Sequence, residues 1–233
     1  KYLNEDIEDD YKPSKEDEEK QKEKESLQII LSYAQEFYVQ CIHEVNPAAN
    51  KARETVRKRW GADAIERFGI GYAPRDGFIE WAMRKGLDFD LLEQVGLIGI
   101  GERGKYAMLR DRYTIPIYDK MSNVIGFTAR TMSDDKDICK YLNLKNSLVY
   151  AKDKSVFGIN FAQKEARLKN KFYLVEGAPD VVKLQSLEIL NTVASLGGAW
   201  TENQLKQLYH ISHTVTFIPD ADTLKPGNEW PAG

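Results

Sequence analysis

The sequence is poor in the features that mark disulfide-stabilised, zinc-binding and membrane-spanning proteins. It has only two cysteines, Cys41 and Cys139, which are far apart. This spacing excludes a cysteine-type zinc finger in this stretch and favours a reducing compartment such as the cytoplasm. No apolar run approaches the roughly 20 residues that a membrane helix requires, and no signal-peptide pattern opens the chain. We therefore expect neither zinc nor a membrane partner.

An overall excess of positive charge is also missing, because the 233 residues carry a formal net charge of −3. The charge is unevenly distributed along the chain. Residues 1–25 contain eleven acidic residues and six lysines, whereas residues 102–154 contain eleven Lys and Arg against seven Asp and Glu. A polyanion could therefore bind the second segment. The first segment is almost devoid of apolar residues, which predicts a charged linker or a solvated helix extension.

Residues 26–170 read as a first domain that is helical at its start and rich in strands later. Apolar residues recur at helical spacing after Ser26, and a second helix is predicted over residues 48–60. We interpret the basic residues of that second helix, Arg59 among them, as a solvated face rather than a nucleic-acid contact. From Tyr106 onward the pattern favours strands, with two of them joined by a turn at 120–123.

The last part of the chain, residues 171–233, combines short apolar runs with acidic residues. Three runs predict buried parallel strands separated by crossover helices: residues 172–175, 191–194 and 214–218. Four carboxylates follow the first and third runs: Glu176, Asp180, Asp220 and Asp222. Side chains that follow parallel strands meet at one edge of the sheet. Carboxylates without His or Cys favour a hard cation, Mg²⁺ or Mn²⁺, as the bound metal.

The role of Asp180 has two interpretations. It lies about one helical turn beyond Glu176, so it can face the same edge as a metal ligand or as a carboxylate that supports the ligands. It can equally cap the helix that follows, because a side-chain oxygen there accepts hydrogen bonds from backbone N–H groups. The sequence does not separate the two.

The order VEGAPDVV, VASLGGA and PDAD resembles the Toprim fold shared by topoisomerases and primases. Upstream, the chain is similar to bacterial DnaG-type primases in a longer series of segments: RFGIGYAP, LRDRYTIPIYD, NVIGFTAR, KYLN and VYAKDKSVFGI. The resemblance covers roughly residues 30–222. It implies a mixed α/β fold, in which a helical and β-rich primase subdomain precedes the first half of a Toprim parallel-sheet domain.

The resemblance also implies roles for individual residues. Glu176, Asp220 and Asp222 would be the catalytic acids, and with Asp180 they would hold the metal. Residues at the positions of the family's nucleotide- and DNA-binding groove are Arg110, Arg112, Arg130, Lys140, Asn143 and Lys152, with Lys154 as an alternative to Lys152. Two departures from the family pattern, Pro219 and Ala221, affect the acidic loop, because proline fixes φ and removes a hydrogen-bond donor.

The function implied is template-directed synthesis of RNA primers on single-stranded DNA from NTPs. A replicative helicase is expected to bind outside this chain, and the chain itself is expected to be a monomer. Because further Toprim strands are expected to complete the metal site, we expect this stretch alone to be inactive. Two alternatives remain: another Toprim phosphodiester enzyme, nuclease- or topoisomerase-like, or a non-catalytic module that binds single-stranded DNA or a helicase.

Overall fold

The computed structural model describes residues 14–197 and 199–220. The helices in these ranges are α1 (Lys15–His43), α2 (Pro47–Trp60), α3 (Ala64–Phe68), α4 (Phe78–Arg84), α5 (Phe89–Gln94), α6 (Ile159–Lys169), α7 (Ala178–Ser186) and α8 (Glu202–Tyr209). The strands are β1 (Gly71–Ala73), β2 (Ile98–Gly101), β3 (Gly104–Ala107), β4 (Arg112–Tyr118), β5 (Val124–Thr131), β6 (Tyr141–Asn143), β7 (Val156–Phe157), β8 (Phe172–Val175), β9 (Thr192–Ser195) and β10 (Val215–Phe217). The predicted mixed α/β class is confirmed. No helix within the described ranges has the length and apolar character that crossing a bilayer requires.

Helix α1 begins at Lys15, well before the predicted start at Ser26. Ser14 is its N-cap and forms a reciprocal capping box with Asp17, which satisfies backbone donors that the first turn leaves unpaired. The turns before Ser26 are exposed, so residues 15–25 form a solvated helix extension rather than a linker. The apolar stripe that guided the prediction starts only at Leu27 and gives no information about these earlier turns.

The first sheet is antiparallel, with strand order β1-β4-β5-β6. Helix α1 packs directly against it, because a Cβ on Gly71 of β1 would lie only 2.6 Å from the carbonyl carbon of Tyr38. The Tyr38 ring meets Phe127 of β5 edge to face, with centroids 5.5 Å apart. The predicted strand pair corresponds to β4 and β5, and Asp119 holds the turn between them by accepting from the backbone of Met121 and Asn123.

The second sheet has the order β10-β8-β9-β7. Strands β10, β8 and β9 are parallel, as predicted, and β7 adds an antiparallel edge. Helix α6 belongs to the same packing unit, since its Ala162 and Ala166 are buried in one cluster with Phe172 of β8. The predicted domain boundary between residues 170 and 171 therefore falls inside this unit.

The two sheets share a continuous apolar core. Val175 of β8 and Ala194 of β9 belong to the same buried cluster as Tyr38 and Phe127 of the first sheet region. Between the sheets, Phe68 of α3 contacts Phe161 of α6 edge to face. This shared core brings the loops after β8 and β10 toward the end of α2.

Candidate active site

Three of the four predicted acidic residues lie within the described structure, at one edge of the second sheet. Glu176 directly follows β8, and its Oε1 accepts a hydrogen bond of 3.0 Å from the backbone N–H of Asp220, beyond β10. Strands β8 and β10 are parallel neighbours, so their carboxyl ends meet at the same edge. Asp180 lies in the first turn of α7, which starts immediately after Glu176 and Gly177.

The environment of Asp180 shows that these acids act on one another. Partial burial is the main cause that raises the pKa of its carboxyl, and the negative charge of Asp220 raises it further. Arg59 and the backbone N–H groups of Gly177 and Asp180 oppose the shift. The N-cap of α7 is Gly177, which offers no side-chain cap. Asp180 thus faces both the helix start and Asp220, and both interpretations of its role remain open.

A divalent cation fits this edge by the chemistry of its donors, because clustered carboxylates suit Mg²⁺ and Mn²⁺. Within residues 14–197 and 199–220, however, no three acidic, His or Cys side chains form a group that could hold a metal ion. Asp222, the fourth predicted ligand, lies outside the described residues. The assignment of Glu176, Asp180, Asp220 and Asp222 as metal ligands therefore stays a proposal.

Arg130 is the basic residue of the first sheet with the most distinctive surroundings. It lies opposite Tyr113 of β4 and Tyr141 of β6, and its guanidinium carbon is 5.9 Å from the centre of the Tyr113 ring. Its Nε atom is buried, and no group in the described part of the chain bonds to it. A buried donor left unpaired costs free energy.

Arg112 does not have the position that sequence analysis expected. It is only 7% exposed, and its Nη1 donates to the carbonyl oxygens of Ala129 and Lys140, at 3.3 and 3.4 Å. Burial lowers the pKa of the guanidinium. Arg112 ties β4 to its neighbours inside the sheet, and nucleotide or DNA contact by this residue stays a prediction.

The remaining predicted groove residues differ in exposure. Four are exposed: Arg110, Lys140, Lys152 and Lys154. Asn143 is half-buried, and its Nδ2 donates to the carbonyl oxygen of Leu196 at 3.5 Å, which joins β6 to the loop after β9. Nucleotide or DNA binding by these residues stays a prediction.

Two residues at the end of α2 were missed by the sequence interpretation of that helix. Arg59 is exposed, yet its charge lowers the pKa of Asp180, so it lies near the acidic edge. Trp60 is 2% exposed, and its Nε1 donates to the carbonyl oxygen of Pro179 in α7 at 3.0 Å. The sequence did contain one indication of this contact. Trp60 lies on the apolar face of α2, next to Arg59, and a large apolar side chain at a helix end indicates packing against another element.

Basic side chains on one sheet and carboxylates at the edge of another are typical of α/β proteins that act on phosphate esters. The comparisons with known proteins narrow this class. Residues 38–163 match the family model of the DNA primase catalytic core, N-terminal domain, so the chain belongs to the DnaG-type primase family.

Individual relatives agree with this assignment. The DNA primase of Salmonella typhimurium is 32% identical over 90% of this chain and 36% of its own length, and that of Pseudomonas putida is 34% identical over 88% and 32%. Among solved structures, the RNA polymerase domain of Mycobacterium tuberculosis DnaG in complex with double-stranded DNA has a TM-score of 0.76 at 30% identity, covering 84% of this chain and 63% of that one. A DnaG catalytic domain bound to single-stranded DNA has a TM-score of 0.75 at 30% identity, with the same coverage. The chain spans about a third of the length of the curated relatives it matches.

Proposed function

We propose that this chain is part of the catalytic core of a DNA primase that synthesises short RNA primers on a single-stranded DNA template. The observation that carries the proposal is that Glu176, Asp180 and Asp220 lie at the same carboxyl edge of a parallel sheet, close to Arg59. The family assignment supports it, as do the DNA complexes of two structural relatives.

The reaction is nucleotidyl transfer, in which a 3′-hydroxyl oxygen attacks an α-phosphorus and pyrophosphate leaves. Bound Mg²⁺ or Mn²⁺ would neutralise charge on the phosphates and lower the pKa of the attacking hydroxyl. Glu176, Asp220 and Asp222 would hold the cations. Asp180 would keep negative charge at the same edge or orient the carboxylates that do.

The basic side chains would hold the other end of the reactants. Arg130 would donate to the triphosphate, because a guanidinium can form two parallel hydrogen bonds to phosphate oxygens. Exposed cations and one amide would follow the template backbone and the incoming nucleotide: Arg59, Arg110, Lys140, Asn143 and Lys152, or Lys154 in place of Lys152. Arg112 would support this surface from within the sheet.

The proposed partners follow from the reaction. Single-stranded DNA is the template, NTPs are the substrates, and a replicative helicase would bind through a region outside this chain. We propose that the protein acts as a monomer in the cytoplasm. Two separated free cysteines, one buried and one exposed, agree with a reducing compartment.

The test is primer synthesis de novo on single-stranded DNA by the complete gene product, beside its Asp220→Asn variant. The parent should make RNA primers that disappear with EDTA and return with excess Mg²⁺. The variant should lose at least about 100-fold in rate, as expected for the loss of a group that stabilises charge in the transition state. Asp76→Asn, an exposed acid between β1 and α4, serves as the control that keeps activity.

A folded, DNA-binding parent that makes no primers would overturn the proposal. Nicking of DNA by that parent would then indicate a nuclease- or topoisomerase-like Toprim enzyme, and binding without chemistry would indicate a non-catalytic module. Separate assays of primer length, nicking and DNA binding distinguish the three results.

A further inference from the structure

The end of α2 is bonded to the start of the helix that carries Asp180. Trp60 is the last residue of α2, and its indole N–H donates to the carbonyl oxygen of Pro179, which directly precedes Asp180. The carbonyl oxygen has two lone pairs, so it can accept this bond in addition to one within the helix. The contact joins residues 119 positions apart in the sequence and fixes the start of α7 against α2.

The same indole also contacts the basic row of the first sheet. Tyr113 meets Trp60 edge to face, with ring centroids 5.7 Å apart and an interplanar angle of 88°. Arg130 lies directly opposite Tyr113 in the β4–β5 ladder, with its guanidinium carbon 5.9 Å from the centre of that ring. A guanidinium near an aromatic face is attracted by the ring, so the position of the Tyr113 ring helps to set that of Arg130.

A second cation flanks the indole. The guanidinium carbon of Arg59 is 5.2 Å from the centre of the Trp60 ring. Trp60 therefore contacts Arg59 directly and Arg130 through Tyr113. Its indole N–H also bonds to helix α7, which carries Asp180.

We propose that Trp60 is a positioning residue that holds Arg59 and Arg130 at a fixed separation from the acidic edge formed by Glu176, Asp180 and Asp220. The proposal rests on the proposed function, in which a nucleoside triphosphate places its phosphates at the arginines and its divalent cation at the carboxylates. Because such a ligand bridges two groups, its affinity depends on their separation, and small displacements of a positioned group have large effects.

A tryptophan that only fills the core would affect stability, whereas a positioning residue changes the binding of the bridging ligand. We would measure Mn²⁺ affinity by electron paramagnetic resonance and ATP affinity in the presence of Mn²⁺ by calorimetry, together with the melting temperature. Trp60→Phe keeps an aromatic ring but removes the indole N–H. We expect ATP affinity to fall about 10-fold while Mn²⁺ affinity stays within about 2-fold, because every carboxylate of the edge lies in the second sheet unit.

The matched control is Trp81→Phe, the same substitution in α4. Trp81 packs against Phe37, with centroids 4.8 Å apart, and belongs to the aromatic cluster around α1. The Trp81→Phe variant should change the melting temperature without changing the ratio of ATP affinity to Mn²⁺ affinity. Equal ATP affinity in Trp60→Phe and parent, or a parallel fall of both affinities, would overturn the positioning role.

A second pair of variants tests the route through Tyr113 without altering Trp60. Tyr113→Leu removes the ring between Trp60 and Arg130 and should weaken ATP binding as Trp60→Phe does, whereas Tyr113→Phe keeps the ring and should bind as the parent does. In a double-mutant cycle, Trp60→Phe should weaken ATP binding less in an Arg130→Gln background than in the parent, because only the contribution through Arg59 remains. Fully additive losses would overturn the proposal.

The two proposals fail in different ways. A complete gene product that binds neither Mn²⁺ nor ATP would overturn both of them. A parent that binds ATP as tightly as the Trp60→Phe variant overturns the positioning role alone. A parent that shows the expected split between ATP and Mn²⁺ but makes no primers as the complete gene product would support positioning and overturn primer synthesis.

Discussion

The two sheets differ in how fully the chain covers them and in the charge they present. In the first sheet, β4 and β5 are buried along almost their whole length. In the second sheet, β8 and β9 are largely buried, but the outer strand β10 is about half exposed, with 49% at Val215 and 44% at Phe217. Most of the predicted cationic groove residues belong to the first sheet and its loops. Lys152 and Lys154 instead precede β7 of the second sheet, and their carbonyl oxygens accept from side chains of α8. The acidic residues belong to the second sheet.

The first sheet mainly stabilises the fold, whereas the second sheet carries the acidic residues of the proposed active site. The covered sheet with its helix α1 supplies most of the buried aromatic packing, including Tyr38, Phe78 and Phe127. The second sheet supplies the strand ends at which the acidic residues lie. Groups that must bind and release polar ligands stay accessible, and a well-packed neighbour gives them fixed positions.

Truncating one phenylalanine in each sheet should test the difference in burial between the two sheets most clearly. Phe127→Ala removes a fully buried ring and should lower the free energy of unfolding by about 3–5 kcal/mol. Phe217→Ala should cost about 1 kcal/mol, because nearly half of that ring is already in water. Urea unfolding followed by circular dichroism measures both. Equal losses would contradict the distinction between a covered and an open sheet.

Arginines 110 and 112 separate the structural role from the binding role within one segment. Arg112→Gln should destabilise the fold by about 1–3 kcal/mol, because the carbonyls of Ala129 and Lys140 lose a buried donor. Arg110→Gln should leave stability unchanged, weaken binding of a single-stranded oligonucleotide and reduce the salt slope of binding by about one. Chemical unfolding and fluorescence anisotropy are the two measurements.

The opposite pattern would support the prediction that Arg112 contacts nucleotide or DNA. In that case Arg112→Gln would fold as stably as the parent and lose oligonucleotide affinity. A lysine at position 112 is a useful intermediate, since it keeps the charge but cannot reproduce the forked geometry of a guanidinium.

The sequence predicted the fold where structure depends on local pattern. The three parallel strands were read from apolar runs, and the β4–β5 pair from the change of period at Tyr106. The hairpin of β2 and β3 was not predicted, because the reason for its glycine is visible only once the two strands pair. Gly99 lies opposite Tyr106, and a Cβ on Gly99 would lie 2.6 Å from the Tyr106 ring. Glycine is therefore needed for that ring to pack across the hairpin. A short, glycine-containing, largely exposed segment carries little periodic signal.

The site was predictable to the same extent. The acidic residues could be identified because they follow buried strands of one sheet, and parallel topology brings such ends together. The burial of Arg112 could not be predicted, because β4 is buried on both faces and its sequence lacks the alternation that separates inward from outward side chains. The contact of Trp60 with Pro179 joins distant residues, and no local pattern predicts a contact across 119 positions.

Neutralising Asp180 should show how the negative charges of the second sheet affect its stability. Its pKa is raised mainly by burial and then by Asp220. A carboxyl whose pKa is higher in the folded state favours folding when protonated, so this stabilisation is present at low pH and is lost as pH rises through the raised pKa. Asp180→Asn should therefore melt progressively above the parent as pH increases from about 3 to 7 in EDTA.

Magnesium provides the control for that titration. If a cation binds at this edge, excess Mg²⁺ should stabilise the parent more than Asp180→Asn and reduce or reverse the difference between them. Calorimetric melting at several pH values, with and without Mg²⁺, gives both results. A constant difference between parent and variant at all pH values would contradict the proposed repulsion between Asp180 and Asp220.

The smallest effect on stability is expected at a surface ion pair between α3 and the turn after α7. Arg67 of α3 and Glu188, in the turn after α7, form an ion pair of 2.7 Å with side chains 27% and 70% exposed. Glu188→Gln should cost at most about 1 kcal/mol and less at high salt. Glu188→Gly should be at least as stable as Glu188→Gln, because residue 188 has φ of 64° and glycine adopts that conformation without strain. Urea unfolding at two salt concentrations tests both variants. A salt-dependent loss above about 2 kcal/mol would show that this exposed ion pair, rather than the buried contact of Trp60 with α7, dominates the junction of the two sheets.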